Sequence, residues 1–258
     1  MPVFSVQGAD LDVELSDEGG HPVVQLHGLT SSRSRDRVLD LDLGRGLNGT
    51  RLLRYDARGH GRSTGRPVPE DYRWEVLADD LLRLLDHWFP GERVHGVGPS
   101  MGAATLLHAA VRDPGRFSGL TLLIPPTAWE TRAAKAEAYR DAAASVEERG
   151  VAAFVASDRD VPPPPATAGV PETVPDVPDD LLPALLRGAA LSDLPAPRDV
   201  ARIEAPTTVL AWTGDPGHPV STAERLVGLL PRATLSVATA PADLARWPGI
   251  LHDAVGQH

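Results

Sequence analysis

The chain has no cysteine among its 258 residues, which excludes a disulfide framework and any metal site built on thiolates. Lysine is almost absent. Of 25 basic residues, only Lys135 is lysine, a skew that reads as GC-rich coding bias. Acidic residues outnumber basic ones by 35 to 25, a net charge of −10. With no basic run to gather phosphates, a nucleic-acid role is set aside. No apolar stretch reaches the roughly 18 residues that cross a bilayer, so no membrane partner is expected. The start, Met1-Pro2-Val3-Phe4-Ser5-Val6-Gln7, lacks the basic head and apolar run of a signal peptide, so a cytoplasmic location is the expectation. No histidine or carboxylate cluster has metal-ligand spacing, and neither a metal nor another cofactor is expected.

What is present is ordinary globular material. Hydrophobic residues make up 42% and charged residues 23%, enough to fill the core of one α/β domain of this length. Short apolar runs alternate with longer helical segments. Strands are expected at 23–26, 51–55, 93–98, 119–124, 207–212 and 234–238. Helices are expected at 72–89 and 101–112, with a last one after Trp247-Pro248. The pattern predicts an α/β fold with a mostly parallel central sheet flanked by helices. Between 127 and 200 the alternation breaks. A charged, Ala-rich helix is expected over 130–149, then a stretch at 161–178 too rich in proline for helix or sheet, then a short helix near 180–190. The expected division is a core of 1–126 and 200–258 with a cap insertion of 127–199. Such an insertion serves as a lid or, more simply, as a flexible surface loop. Trp129, Tyr139 and Phe154 within it suggest a mostly apolar substrate.

Gly98-Pro99-Ser100-Met101-Gly102 fits G-x-S-x-G. The pattern alone is weak, and its context decides. An expected strand precedes it and an expected helix follows, the setting that thrusts a serine hydroxyl above a sheet edge. Small neighbours let the strained turn pack, and the helix N-terminus favours negative charge there. Two further segments agree. His27-Gly28-Leu29-Thr30 follows a strand, and Asp56-Ala57-Arg58-Gly59-His60-Gly61-Arg62-Ser63 follows the next. In that order the three segments resemble the α/β-hydrolase superfamily, its esterase- and lactonase-like members especially. The resemblance covers about 20–126 and 200–250. It implies Ser100 as nucleophile and an oxyanion hole made by the backbone N–H groups of Leu29 and Met101. It also implies that His27, His60 and Asp56 brace loops.

Trp212-Thr213-Gly214-Asp215-Pro216-Gly217-His218-Pro219 resembles the superfamily's acid loop, with Asp215 as the acid of the triad. Read without the resemblance, Asp215 opens an Asp-Pro-Gly turn. The resemblance also places a histidine after the last strand. Here that position reads Ala238-Thr239-Ala240-Pro241, and no histidine stands between His218 and His252. A serine hydroxyl needs a base to take its proton. His218, three residues after Asp215, is the best candidate for that base, although it also suits the mouth of a pocket, and a side chain of the cap is an alternative. His252 and the terminal His258 are expected in solvent. Three functions follow. The first is a hydrolase of an ester, thioester or lactone of a small organic acid. The second is a non-hydrolytic lyase, cyclase or isomerase on the same fold. The third is a silent ligand-binding protein.

Overall fold

A computed structural model describes residues 2–159 and 162–256. Residue 161, which opens the proline-rich stretch, and His258 lie outside the described residues. In chain order the elements are β1 (Val3–Val6), β2 (Ala9–Asp17), β3 (Pro22–Gln25), α1 (Arg33–Val38), β4 (Arg51–Tyr55), α2 (Trp74–Trp88), β5 (Val94–Pro99) and α3 (Met101–Arg112). They continue with β6 (Phe117–Leu123), α4 (Arg132–Arg149), α5 (Val151–Arg159), α6 (Leu182–Ala190), α7 (Pro197–Val200), β7 (Thr207–Trp212), α8 (Val220–Leu229), β8 (Ala233–Ala238), α9 (Pro241–Leu244) and α10 (Trp247–Val255). The strands form one sheet in the order β1-β2-β4-β3-β5-β6-β7-β8. β1 and β2 are an antiparallel edge, and every pair from β4 to β8 is parallel. The expected fold class is therefore the observed one.

The two-residue period of a strand puts neighbours on opposite faces, and both faces here are covered. Val24, Leu53 and Leu122 join Leu77, Leu81 and Leu84 of α2 and Leu106 of α3 on one face. Val23, Leu52 and Leu123 join Trp247 and Leu251 of α10 on the other. Fully burying one such leucine contributes about 1.5–3 kcal/mol, so these layers hold the frame on which the loops sit.

Two helices start later than their periodicity suggests. Before α2, Pro69–Tyr72 forms a separate 3-10 turn, and Arg73 is extended (ψ 142°). Before α4, Trp129–Thr131 is also a separate 3-10 turn, entered through Trp129 at φ 50°. Along 162–181 only the 3-10 turn Pro165–Thr167 is regular, as the prolines require. Among the described residues no helix is long and apolar enough to cross a membrane.

From β3 the chain runs outward to β4 and then crosses back to β5, the other neighbour of β3. At such a reversal the loops leaving the two central strands diverge and open a crevice at their carboxyl ends. His27 to Thr30 leave β3 there, and Ser100 leaves β5. The helices between β6 and β7 close over the same place. Leu29 packs against Ala143 and Val146 of α4 and Leu182 and Leu186 of α6, with Tyr139, Phe154 and Val177 around them.

Candidate active site

Ser100 sits between β5 and α3 with φ 51° and ψ −110°, a conformation that an L-residue holds only when its surroundings impose it. They do so through hydrogen bonding and packing. The Ser100 N–H donates to Leu123 O at 2.9 Å, and Ser100 O accepts from Ala104 N–H at 3.0 Å. A Cβ on Gly98 would lie 3.0 Å from Leu26 Cβ, and one on Gly102 would lie 2.9 Å from the same atom. Only glycine at both places lets the turn press this closely on β3.

The acid loop leaves β7, two strands away. Asp215 to His218 is a tight turn closed by His218 N–H donating to Asp215 O at 3.2 Å, with Pro216 pre-set for its second position. The turn folds the imidazole back over its own carboxylate. His218 Nδ1–H donates to Asp215 Oδ2 at 2.7 Å. Ser100 Oγ–H donates to His218 Nε2 at the same distance. A carboxylate only accepts, so the proton of the neutral ring stands on Nδ1, leaving Nε2 free to receive the serine proton.

Asp215 has further partners. Trp212 Nε1–H donates to its Oδ2 at 2.8 Å and Gly217 N–H to its Oδ1 at 2.8 Å. Burial opposes the charge, but the His218 imidazole, the indole and the Gly217 N–H outweigh it. The carboxyl is held well below the usual carboxylate range. Trp212 and Gly217 went unread as partners, although both lie within three residues of Asp215. After β8, the loop where the resemblance expects a histidine is taken up differently. Thr239 N–H (2.9 Å) and Ala240 N–H (3.2 Å) donate to Asp243 Oδ2, capping α9.

The β3 loop brings Gly28 opposite the elbow: a Cβ there would lie 3.8 Å from Ser100 Cβ. The backbone N–H groups of Leu29 and Met101 donate to no acceptor among the described residues. Behind them His27 spans two loops. Its Nδ1–H donates to Gly28 O at 2.8 Å, and its Nε2 accepts from Ala57 N–H at 2.9 Å. Asp56 accepts from Arg33 N–H at 2.9 Å and Arg62 N–H at 3.1 Å. His60 Nδ1–H donates to Arg58 O at 2.9 Å. All three are buried. His252 is exposed on α10. Among the described residues, no group of three or more metal-binding side chains is placed to hold an ion.

The family model for the alpha/beta hydrolase fold matches residues 21–159, more than half of the chain. The chain belongs to that family. Among curated α/β-hydrolases and related proteins, it is 38% identical over 90 residues to a human monoglyceride lipase, covering 33% of this chain and 29% of the lipase. It is 33% identical over 107 residues to 3-oxoadipate enol-lactonase 1 of Acinetobacter baylyi, covering 42% of this chain and 37% of the lactonase. The matched stretches thus span about a third of those relatives. A solved hydrolase from Pseudomonas aeruginosa superimposes with a TM-score of 0.76 at 25% identity, covering 99% of this chain and 97% of that one.

Proposed function

We propose that the protein is a serine-dependent hydrolase of an ester, thioester or lactone of a small, mostly apolar organic acid. Ser100 is the nucleophile, His218 the base, Asp215 the acid, and the N–H groups of Leu29 and Met101 the oxyanion hole. Residues 127–199 act as its cap. One observation carries the reading: His218 is hydrogen-bonded at 2.7 Å to both Asp215 and Ser100. A single turn of the acid loop supplies both acid and base, in place of the histidine that the resemblance expects after the last strand.

The chemistry follows from that geometry. Ser100 Oγ bonds to the acyl carbon while its proton passes to His218 Nε2, and the carbonyl oxygen becomes an oxyanion facing two N–H donors. The imidazolium, held by Asp215, returns the proton to the departing oxygen or sulfur as the acyl bond to it breaks. Water then attacks the acyl-serine. Its proton goes to His218 and on to Ser100 Oγ, and its hydroxyl leaves in the product acid. The absent histidine motivated the non-hydrolytic reading, and a base at His218 weighs against it.

The direct test is intact-mass analysis after treatment with a fluorophosphonate. We expect one adduct on the wild-type chain, none on Ser100→Ala, and very slow labelling of His218→Ala. Turnover by His218→Ala is expected to fall by about four orders of magnitude or more. Wild-type protein that takes up no label would count against the serine route altogether.

A further inference from the structure

Asp215, Gly217 and His218 hold one another inside a single turn, through the Gly217 N–H and His218 Nδ1–H bonds to the carboxylate and the His218 N–H bond to Asp215 O. Bonds of that kind shape the turn without deciding where it stands over Ser100. Two ties reach it from the sheet side. Thr127 N–H, in the loop after β6, donates to Gly217 O at 3.1 Å, and the Trp212 indole N–H donates to the carboxylate itself at 2.8 Å. Trp212 is the last residue of β7, buried and paired with Ala238 of β8. Its ring is stacked on Trp247 of α10, with centroids 6.0 Å apart and an interplanar angle of 14°. Trp247 is itself 1% exposed, in the same apolar layer as Leu251 and Val255. The two indoles differ in one respect. Trp247 Nε1–H has no partner among the described residues, whereas Trp212 Nε1–H meets a charge.

An indole N–H only donates, and hydrogen bonds to an ionised acceptor are the strong ones. Trp212 and His218 share Asp215 Oδ2, while Gly217 holds Oδ1. Rotating the carboxylate to offer the imidazole its other oxygen would break the bonds from Trp212 and Gly217 together. With acid and base only three residues apart, the imidazole follows wherever the carboxylate points. A histidine arriving from a separate loop would have its own backbone to set its place, and His218 has only this turn. Resting on the hydrolytic reading above, we propose that Trp212 is a positioning residue for the reaction. Its indole N–H, oriented by the stack on Trp247, fixes the Asp215 carboxylate so that His218 Nε2 stays within reach of Ser100 Oγ.

The test removes the N–H and keeps the ring. A chain carrying 3-benzothienylalanine at position 212, the isostere with sulfur in place of N–H, preserves the stack, and Trp212→Phe is a second variant. Each is treated with a fluorophosphonate over a concentration series. We expect the maximal labelling rate to fall about tenfold or more in both, while the concentration giving half that rate changes less than about twofold. An isostere that labels at the wild-type rate shows that the ring only fills space, and it overturns the positioning role. A change confined to the half-maximal concentration overturns it equally. If the wild-type chain takes up no label, the hydrolytic reading fails by itself, and proton NMR of the His218 Nδ1–H decides what Trp212 does. A resonance present in the wild-type chain and lost from the isostere keeps Trp212 as the group that holds the imidazole. The same resonance in both, or in neither, removes it.

Discussion

At position 102 a single hydrogen atom sets the spacing between two loops that must act together. A Cβ there would lie 2.9 Å from Leu26 Cβ and 3.0 Å from His27 O. Neither neighbour yields easily, because Leu26 N–H is anchored to Val97 O at 2.9 Å and His27 bridges to Ala57. Overpacking of this kind costs about 1–3 kcal/mol, and about 1 kcal/mol lowers the Tm of a chain this size by roughly 2–4 °C. Gly102→Ala is expected to melt several degrees lower and to lose about tenfold or more in kcat, because the elbow and the β3 loop are forced apart. Unchanged kcat would mean that the two loops need not keep this spacing. The same scale explains what could be read beforehand. Ser100 and Asp215 stand in strings whose neighbours announce the turn. His218 was readable only as a nearby imidazole, because nothing in its own neighbours says that the turn folds it back onto Asp215 and across to Ser100.

Among the elements, the proline-rich segment is the one whose role was least visible. Its prolines say where helix and sheet stop, and they say nothing of where the segment docks. It is strapped across the β3 loop. Thr30, at φ 59°, offers its carbonyl to Asp176 N–H at 2.9 Å and to Arg35 Nη1–H at 2.8 Å. Ser32 Oγ–H donates to Asp176 Oδ2 at 2.5 Å, and Gly61 N–H donates to Asp176 O at 2.8 Å. Arg35 Nε–H reaches Thr173 Oγ1 at 2.7 Å. One aspartate therefore ties the insertion to the loops after β3 and β4, and so to the N–H of Leu29. Asp176→Ala is expected to keep the fold while lowering kcat about three- to tenfold and speeding amide exchange over residues 28–32. Exchange no faster than in the wild-type chain would show that the backbone bonds alone hold the strap. Other elements were missed for simpler reasons. β1 and β2 form an edge hairpin whose buried positions, Ala9, Leu11 and Val13, do alternate, so its signal was present. The long parallel strands carry continuous apolar runs, which is why their positions were legible to within a residue or two.

For the whole molecule, several buried groups shape the response to pH, and three of them pull in opposite directions. Burial pushes the imidazoles of His27 and His60 down, His60 to about 3 with the neighbouring His27 adding to it. Burial pushes the Asp36 carboxyl up to about 7, opposed by the Ser31 hydroxyl and reinforced by Asp42. Geometry agrees for Asp36, whose Oδ1 accepts from Ser31 Oγ–H at 2.5 Å while its Oδ2 has no partner among the described residues. Unfolding returns each group to its ordinary pKa. Between about pH 4 and 6.5, wherever both imidazoles stay neutral in the fold, unfolding takes up two protons at the histidines and releases one at Asp36. From these groups stability rises with pH by one net proton, about 1.4 kcal/mol per pH unit. Asp36→Asn keeps the shape and removes the opposing proton. The variant is therefore expected to gain on the wild-type chain by about 1.4 kcal/mol per pH unit from roughly pH 4 to 7, with the gap levelling above that. Urea melts of both proteins at pH 4.5, 5.5, 6.5 and 8 read this directly. A gap that stays flat across the series would mean that Asp36 is ionised in the fold, with its unpaired oxygen satisfied in some other way.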